Sequence, residues 1–266
     1  MNFRPFELQD LSDLTELQPP DWGDLVPRFE YFIASAYCNP IKLVDNYKTV
    51  AVGANMKHTD TAWLACIVVH PAFRNRGFGN ILTQRLIEDL DRQKYKTIFL
   101  DATHLGYPVY KKIGFEEVAE YTHLKRDTSF ISDHVSENIV PYHEKYHDQI
   151  LELDKEISGE NRVGILSDFI GYSQIYLTEN QVQGFYIPDW GDGPVIAKND
   201  QAGLELMKLR ILEKTSAVIP FSNKTALNFL TNHGFKTYKT SKRMQLGQSK
   251  TWNSTGSFNW ISGQLG

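Results

Sequence analysis

Val68-Val69-His70-Pro71-Ala72-Phe73-Arg74-Asn75-Arg76-Gly77-Phe78-Gly79 joins an apolar run, Trp63 to Val69, to a segment whose Leu82, Leu86 and Leu90 recur at the spacing of an amphipathic helix. The order is strand, glycine-bearing loop, helix. Two glycines let the backbone approach a ligand closely, and the helix that follows directs its unpaired N–H groups and positive dipole end at the loop. Arg74 and Arg76 add charge at the same place. Two readings fit these residues: a plain turn with a surface arginine pair, or a cradle for a pyrophosphate.

The neighbouring segments separate them. Leu105-Gly106-Tyr107-Pro108-Val109-Tyr110-Lys111-Lys112-Ile113-Gly114-Phe115 places a tyrosine four residues before a Gly-Phe pair. Between the two motifs lie a helix to about Arg92 and an apolar strand, Thr97-Ile98-Phe99-Leu100, and near the start Asp10-Leu11-Ser12-Asp13-Leu14 reads as a helix opening. This series resembles the GNAT N-acetyltransferases, whose acetyl-CoA segment is a strand with a Val-x-Pro step followed by Arg-x-x-Gly-x-Gly. The resemblance spans roughly residues 1 to 127. It implies an α/β (α+β) fold, a mixed and mostly antiparallel sheet flanked by helices. It also implies acetyl-CoA as acetyl donor, held by Val68, Val69, Arg74, Asn75, Arg76, Gly77, Phe78, Gly79, Asn80 and Tyr110.

A second half follows. His143 to Ile157 reads as a helix with Tyr146, Ile150, Leu153 and Ile157 on one face, and Gln174 to Leu177, Gly184 to Ile187 and Ala217 to Ile219 read as strands. Gln201 to Leu212 reads as a helix capped by Asp200, and Asn223 to Phe235 again looks like the final GNAT helix and its Gly-Phe. Gly114 and Gly234 lie 120 positions apart, as expected of a duplicated fold. The expected domains are 1–130, catalytic, and 131–266, a degenerate GNAT-like copy contributing to the acceptor pocket. The copy is degenerate because Lys198-Asn199-Asp200-Gln201-Ala202-Gly203 stands where the phosphate loop would be, and Leu230 where the tyrosine would be. An N-cap carboxylate at Asp200 would satisfy the amides a phosphate needs. Arg162-Val163-Gly164-Ile165-Leu166-Ser167-Asp168 resembles the degenerate domain of tandem GNAT proteins.

The implied chemistry is direct attack of an amine on the acetyl thioester in a ternary complex. Two parallel strands splay apart, ending near Val69 and Asp101, and the Val69 amide is the expected donor to the thioester oxygen. Tyr110 is the expected proton donor to the leaving thiolate, with Tyr107 one turn earlier as the fallback. No general base is assigned, since His70, Asp101 and His104 each read as ordinary polar strand or loop residues.

Pro-Asp-Trp-Gly-Asp occurs twice, at Pro20 to Asp24 and Pro188 to Asp192, at a spacing that does not match the duplication. Two surface turns explain it. The sharper reading puts Trp22 and Trp190, with Asp21 and Asp189, on the acceptor wall, where indoles and carboxylates attract an ammonium group; Asp168 and Tyr186 are further candidates. A formal charge of −4 without a basic stripe argues against nucleic acid. Cys38 and Cys66 form neither a disulfide framework nor a metal site. No signal peptide or apolar span is evident, so a cytoplasmic protein with no membrane partner is expected. The expected partners are acetyl-CoA and a small amine. A non-catalytic acyl-CoA-binding sensor or interaction module is the alternative, and a P-loop is disfavoured because no Lys-Ser/Thr follows the glycines.

Overall fold

The structure, a computed structural model, describes residues 1–127 and 135–264, so the division expected at 130/131 lies outside the described residues. The first half runs β1 (Asn2–Pro5), a 3-10 turn (Leu8–Asp13), α1 (Leu14–Leu17), α2 (Val26–Ala34), β2 (Cys38–Asp45), β3 (Lys48–Lys57) and β4 (Thr61–Val69). It continues through α3 (Phe78–Glu88), β5 (Thr97–Ala102), α4 (Tyr107–Ile113) and β6 (Glu116–Lys125). The second half begins with β7 (Ile139–Pro141), α5 (His147–Ser158), α6 (Val163–Ser167), β8 (Gln174–Thr178), β9 (Gln181–Tyr186) and β10 (Val195–Ala197). Then come α7 (Asp200–Glu213), β11 (Ser216–Pro220), α8 (Lys224–Asn232), β12 (Lys236–Gly247) and β13 (Ser257–Asn259).

Sequence periodicity marks β4, α3, β5, α4, α5, β8, β9, α7, β11 and α8, with local exceptions, but not β1 to β3, β6, β7, β10, β12 or β13. The helix after the loop ends at Glu88 rather than about Arg92, and Arg92 instead folds back so that Nη1 donates to the Tyr95 carbonyl at 2.8 Å. The first helix is a 3-10 turn followed by a single α turn. The cap of α7 is Asn199, whose Oδ1 accepts from Ala202 N at 2.9 Å, and Asp200 is the first helical residue, taking the Thr225 hydroxyl at 2.8 Å. No helix among the described residues is long and apolar enough to cross a membrane.

The larger sheet draws on both halves, while β13-β10-β9-β8-β7 forms a five-stranded sheet within the second half. One sheet runs β1-β2-β3-β4-β5-β12-β6-β11, so the last long strand of the second half lies between β5 and β6 of the first. β5 pairs with β12 and β6 with β11, all antiparallel. The β6–β12 ladder sets Tyr121 opposite Ser241, with Glu120 opposite Lys242 and Thr122 opposite Thr240. Tyr121 and Ser241 differ by the 120 positions of the duplication, so a pseudo-twofold axis passes through this pair. Each half thus covers an edge of the other, removing edge strands that would otherwise expose unpaired backbone groups.

The cores follow the alternation of the strands. Ile98, Leu100 and Ala102 face Leu82, Leu86 and Tyr110 on the α3–α4 side. Phe99 faces the other way, into a core shared by Phe29 and Trp63 from the first half and Ile150, Leu153 and Ile261 from the second. Inside that core a buried ionic cluster joins the halves. Glu160 accepts from Thr61 Oγ1 at 2.6 Å and Trp63 Nε1 at 3.0 Å, and pairs with Arg243 Nη2 at 3.1 Å. The Arg243 guanidinium stacks at 4.8 Å from Trp63, 4.5 Å from Phe99 and 4.3 Å from Trp252.

Candidate active site

β4 and β5 run parallel and pair only at Thr61–Thr97, Ala62–Ile98 and Trp63–Phe99. Beyond that point they part. The cause is visible in β4, where Cys66 takes φ +48° and the register against β3 slips between Val52 and Ala54, a bulge that bends the strand away. The Trp63 and Phe99 rings, with centroids 5.3 Å apart, sit at the last pair, and Arg243 and Glu160 reach them from the second half. The apex of the gap is therefore pinned by residues more than ninety positions away in sequence.

His70 N–H bonds to the Val50 carbonyl at 2.9 Å. Because successive amides along a strand point to opposite edges, the N–H of Val69 points away from β3 and toward the gap. The loop beyond turns on two left-handed residues, Asn75 at φ +62° and Gly77 at φ +85°. Gly77 is required by its conformation, since a side chain there would meet nothing within 4 Å but would be strained. The first bond into α3 joins Ile81 N to Gly77 O at 3.1 Å. By helix geometry the N–H groups of Phe78, Gly79 and Asn80 have no intrahelical acceptor, so they face the loop's mouth with the dipole behind them. A Cβ at Gly79 would touch only Val69 Cγ2 at 3.7 Å, so the glycine leaves room beside the strand end. Arg74 Nε donates to the Val69 carbonyl at 3.3 Å, and Arg76 lies over the Phe73 ring at 5.1 Å, both guanidinium groups exposed beside the amides.

Tyr110 stands across the gap on α4, buried, with burial pushing its phenol up from the ordinary value and the Asp101 charge adding to that. It therefore stays protonated and is available as a donor. Gly106 makes the space: a Cβ there would lie 2.7 Å from the Tyr110 ring. The Gly-Phe signature is the stop of this helix, with Gly114 at φ +111° as its left-handed cap and Phe115 turned back against Tyr110 at 6.0 Å between centroids. Tyr107 faces outward, its hydroxyl donating to Glu117 at 3.3 Å.

The second copy's equivalent gap is filled by the chain itself. β13 pairs with β10, Trp260 N donates to the Val218 carbonyl of β11 at 3.0 Å, and Val218 N donates to Asn259 Oδ1 at 2.9 Å. Phe258 covers Gly203 of α7 so closely that a Cβ there would lie 2.3 Å from its ring. This is where the aromatic C-terminal run docks, a placement that composition alone left open.

The acceptor candidates scatter. Trp22 is half-buried on the Phe99 side of the sheet, and its neighbour Asp21 pairs with Lys239 of β12 at 3.4 Å. Asp168 is exposed and accepts from the Tyr31 hydroxyl of α2 at 3.1 Å. Trp190 and Tyr186, expected on an open wall, are instead 1% exposed, Trp190 in the core shared by the halves and Tyr186 inside the second half. Trp190 stacks on Phe169 at 5.4 Å, and Tyr186 belongs to the core around α7. The second Pro-Asp-Trp-Gly-Asp serves a turn: Gly191 has φ +56° and Asp192 accepts from Trp260 Nε1 at 2.8 Å. His70 is also accounted for, as its Nδ1 accepts from Ala72 N at 3.1 Å and its Nε2 faces Glu16.

The residue that sequence patterning does not single out is Asp101. It lies two residues beyond the last β4–β5 pair, its Oδ1 is buried, and it has no hydrogen-bond partner among the described residues. Burial pushes its carboxyl up to about 7, against the lowering effect of Ser241, Lys239 and Arg243. The signal available in sequence was one acidic residue ending an otherwise apolar strand.

Comparison with known proteins agrees with this geometry. The family model of the GNAT acetyltransferase family matches residues 9–115, and that of a further GNAT acetyltransferase domain matches residues 150–257. The [ribosomal protein bS18]-alanine N-acetyltransferase of Haemophilus influenzae is 30% identical over 80 residues, 29% of this chain. That match spans 55%, about half, of the relative's length. A candidate acetyltransferase from Pyrococcus horikoshii superposes with a TM-score of 0.82 at 22% identity, over 100% of this chain and 95% of that one. A GCN5-related N-acetyltransferase from Sphaerobacter thermophilus does so with a TM-score of 0.67 at 12% identity, over 96% and 98% of the two chains. At these identities the structural likeness is one of fold.

Proposed function

The chain belongs to the GNAT acetyltransferase family, as a tandem of two GNAT-type domains, and on that premise we propose that it moves acetyl from acetyl-CoA to the amine of a small molecule, with one active site per chain, in the first half. One observation carries the reading: a single gap is bordered by the free amides of α3, the Val69 N–H and the Tyr110 phenol. The free amides and the two arginines suit a pyrophosphate, and the edges left open by β4 and β5 suit an extended arm bearing amides. Acetyl-CoA would supply the acyl thioester. The residues of this chain then have separate tasks. Val69 N–H polarises the carbonyl, Tyr110 gives its proton to the departing sulfur, and the shared core keeps bulk water from the inner side. In the second half β13 already holds the equivalent edges, which supports a copy without cofactor.

Two expected results test this reading. Tyr110→Phe lowers kcat for thiol release by about 100-fold, the scale of a single general acid, while calorimetry finds acetyl-CoA affinity within about threefold of wild type. Trp22→Ala raises KM for the acceptor several-fold and leaves acetyl-CoA binding alone; an unchanged KM removes Trp22 from the acceptor wall. Acetyl-CoA binding without thiol release for any amine tried would move the protein to the non-catalytic acyl-CoA-binding class.

A further inference from the structure

The gap between β4 and β5 lies between two faces of the sheet that carry different chemistry. Leu100 and Ala102 lie on the α3–α4 face with Tyr110. By strand alternation Asp101 shares the opposite face with Phe99, the side toward α2 and the second half. The two groups nevertheless sense one another, since the Asp101 charge acts on the Tyr110 phenol. A thioester threaded through the gap would have Tyr110 on its sulfur side and Asp101 on the side from which an acceptor arrives.

We propose that Asp101 is the catalytic residue that takes the acceptor's proton, and that the degenerate half supplies its setting through Ser241. This rests on the transferase reading above. Its basis is placement: a carboxylate just past the apex of the gap, on the strand that borders it, with one oxygen buried and without a partner, and with its charge felt at the Tyr110 phenol.

The surroundings come from every side. β12 contributes Ser241, whose hydroxyl favours the ionised carboxylate, together with the cations of Lys239 and Arg243. β6 contributes Tyr121 and, behind Ser241, His123, whose Nε2 lies 2.8 Å from Ser241 Oγ. Burial and Lys239 hold His123 down to about 3, so it is neutral; in the tautomer that carries its proton on Nε2 it donates to Ser241 Oγ and leaves the serine proton for Asp101. From the C-terminal segment Gly263 closes over the carboxylate, since a Cβ there would stand 3.0 Å from Asp101 Oδ2. That contact covers Oδ2, and Oδ1 is the oxygen without a partner.

The proton cycle closes. A neutral amine forms the C–N bond, and its surplus proton passes to Asp101 Oδ1. The C–S bond breaks with its electron pair going to sulfur, which takes the Tyr110 proton. Asp101 then returns its proton to the Tyr110 phenolate, and both groups are reset with no external acid or base consumed. A carboxyl with its pKa displaced into the neutral range is matched to this duty, because it gains proton affinity without being fully protonated at working pH.

The test uses the full chain and three readouts. Thiol release from acetyl-CoA is followed from pH 5.5 to 9.5 with spermidine as probe amine, and without it, when water is the acceptor. The expected result is a wild-type rate that falls on the acid side with an apparent pKa of about 7, and a loss of about 100-fold in Asp101→Asn, with acetyl-CoA affinity by calorimetry within twofold. Ser241→Ala moves the acid limb to higher pH, because it removes a group that lowers the Asp101 pKa, and Ser241→Thr moves it back. A merely structural serine would leave the limb in place. Carboxyl carbon NMR of the aspartate-labelled protein reads the titration of Asp101 directly, whatever the turnover. Asp101 titrating below about pH 5, or Asp101→Asn keeping wild-type thiol release, overturns the inference and leaves the transferase reading standing. Failure of the wild type to bind acetyl-CoA strikes that reading instead.

Discussion

Gly77→Glu combined with Arg74→Glu weakens acetyl-CoA binding by at least about 100-fold in titration calorimetry, while the melting temperature stays close to that of wild type. The size follows from separate losses. Gly77 holds φ +85°, so any L side chain there is strained by about 1–2 kcal/mol in this conformation, and the loop relaxes to relieve it. The new carboxylate then stands at the helix N-terminus where the phosphates belong, and an exposed guanidinium beside the amides becomes a second anion. A factor of 100 needs only about 2.7 kcal/mol. The fold is spared because both positions are exposed. Wild-type stoichiometry is expected at one per chain; two would mean that β13 yields its place in the second half. Wild-type affinity in the double mutant would remove the loop from the cofactor site.

Glu160→Ala lowers the melting temperature by roughly 10 °C, corresponding to the ~3–5 kcal/mol typical of leaving a buried charge without its partner. Glu160 is 1% and Arg243 3% exposed, and truncating the carboxylate also orphans the Thr61 hydroxyl and the Trp63 indole N–H. Glu160→Leu with Arg243→Met recovers most of the loss, because neither charge is then buried alone. A melting temperature unchanged by Glu160→Ala would mean that the cluster does not couple the halves. The pH dependence has a definite sign. Burial alone would raise the Glu160 pKa, but Arg243, His58, Arg162 and the Thr61 hydroxyl outweigh it and hold the carboxyl below its usual range. Its contribution is therefore complete above the unfolded value of about 4.3 and is lost as pH falls through the lower folded value. Since these bonds end at Thr61 and Trp63, at the last β4–β5 pair, loss of the cluster should also loosen the gap and weaken acetyl-CoA binding.

Elements built from neighbouring residues are legible in the amino-acid sequence. The glycine loop before α3 is one, because a left-handed glycine, a second glycine and a helix start are local requirements written at consecutive positions. The same holds for Tyr110 and its helix stop, and for the apolar face that runs from the 3-10 turn Glu144–Tyr146 into α5, where Tyr146, Ile150, Leu153 and Ile157 are all buried. Acceptor residues are not legible in this way. Trp190 and Tyr186 carry the chemistry of a cation-binding wall, yet an indole and a phenol also make core, and only packing decides which. Asp101 is the converse case, since a lone acidic residue at a strand end looks ordinary in sequence and only the fold shows one of its oxygens buried without a partner.

The sequence by itself determined the duplication, the glycine loop of the first half and its replacement at 198–203, and the helices and strands that flank these motifs, because each depends on residues within a few turns of one another. Tertiary structure alone decided the rest. It set β12 between β5 and β6, laid β13 in the second copy's gap, and brought Glu160 and Ser241 to the first half's strands. These pairings join segments about a hundred or more positions apart, or choose among edges that are alike in sequence. Strand edges present the same N–H and C=O groups whichever partner comes, so only burial of the whole shared core selects among them.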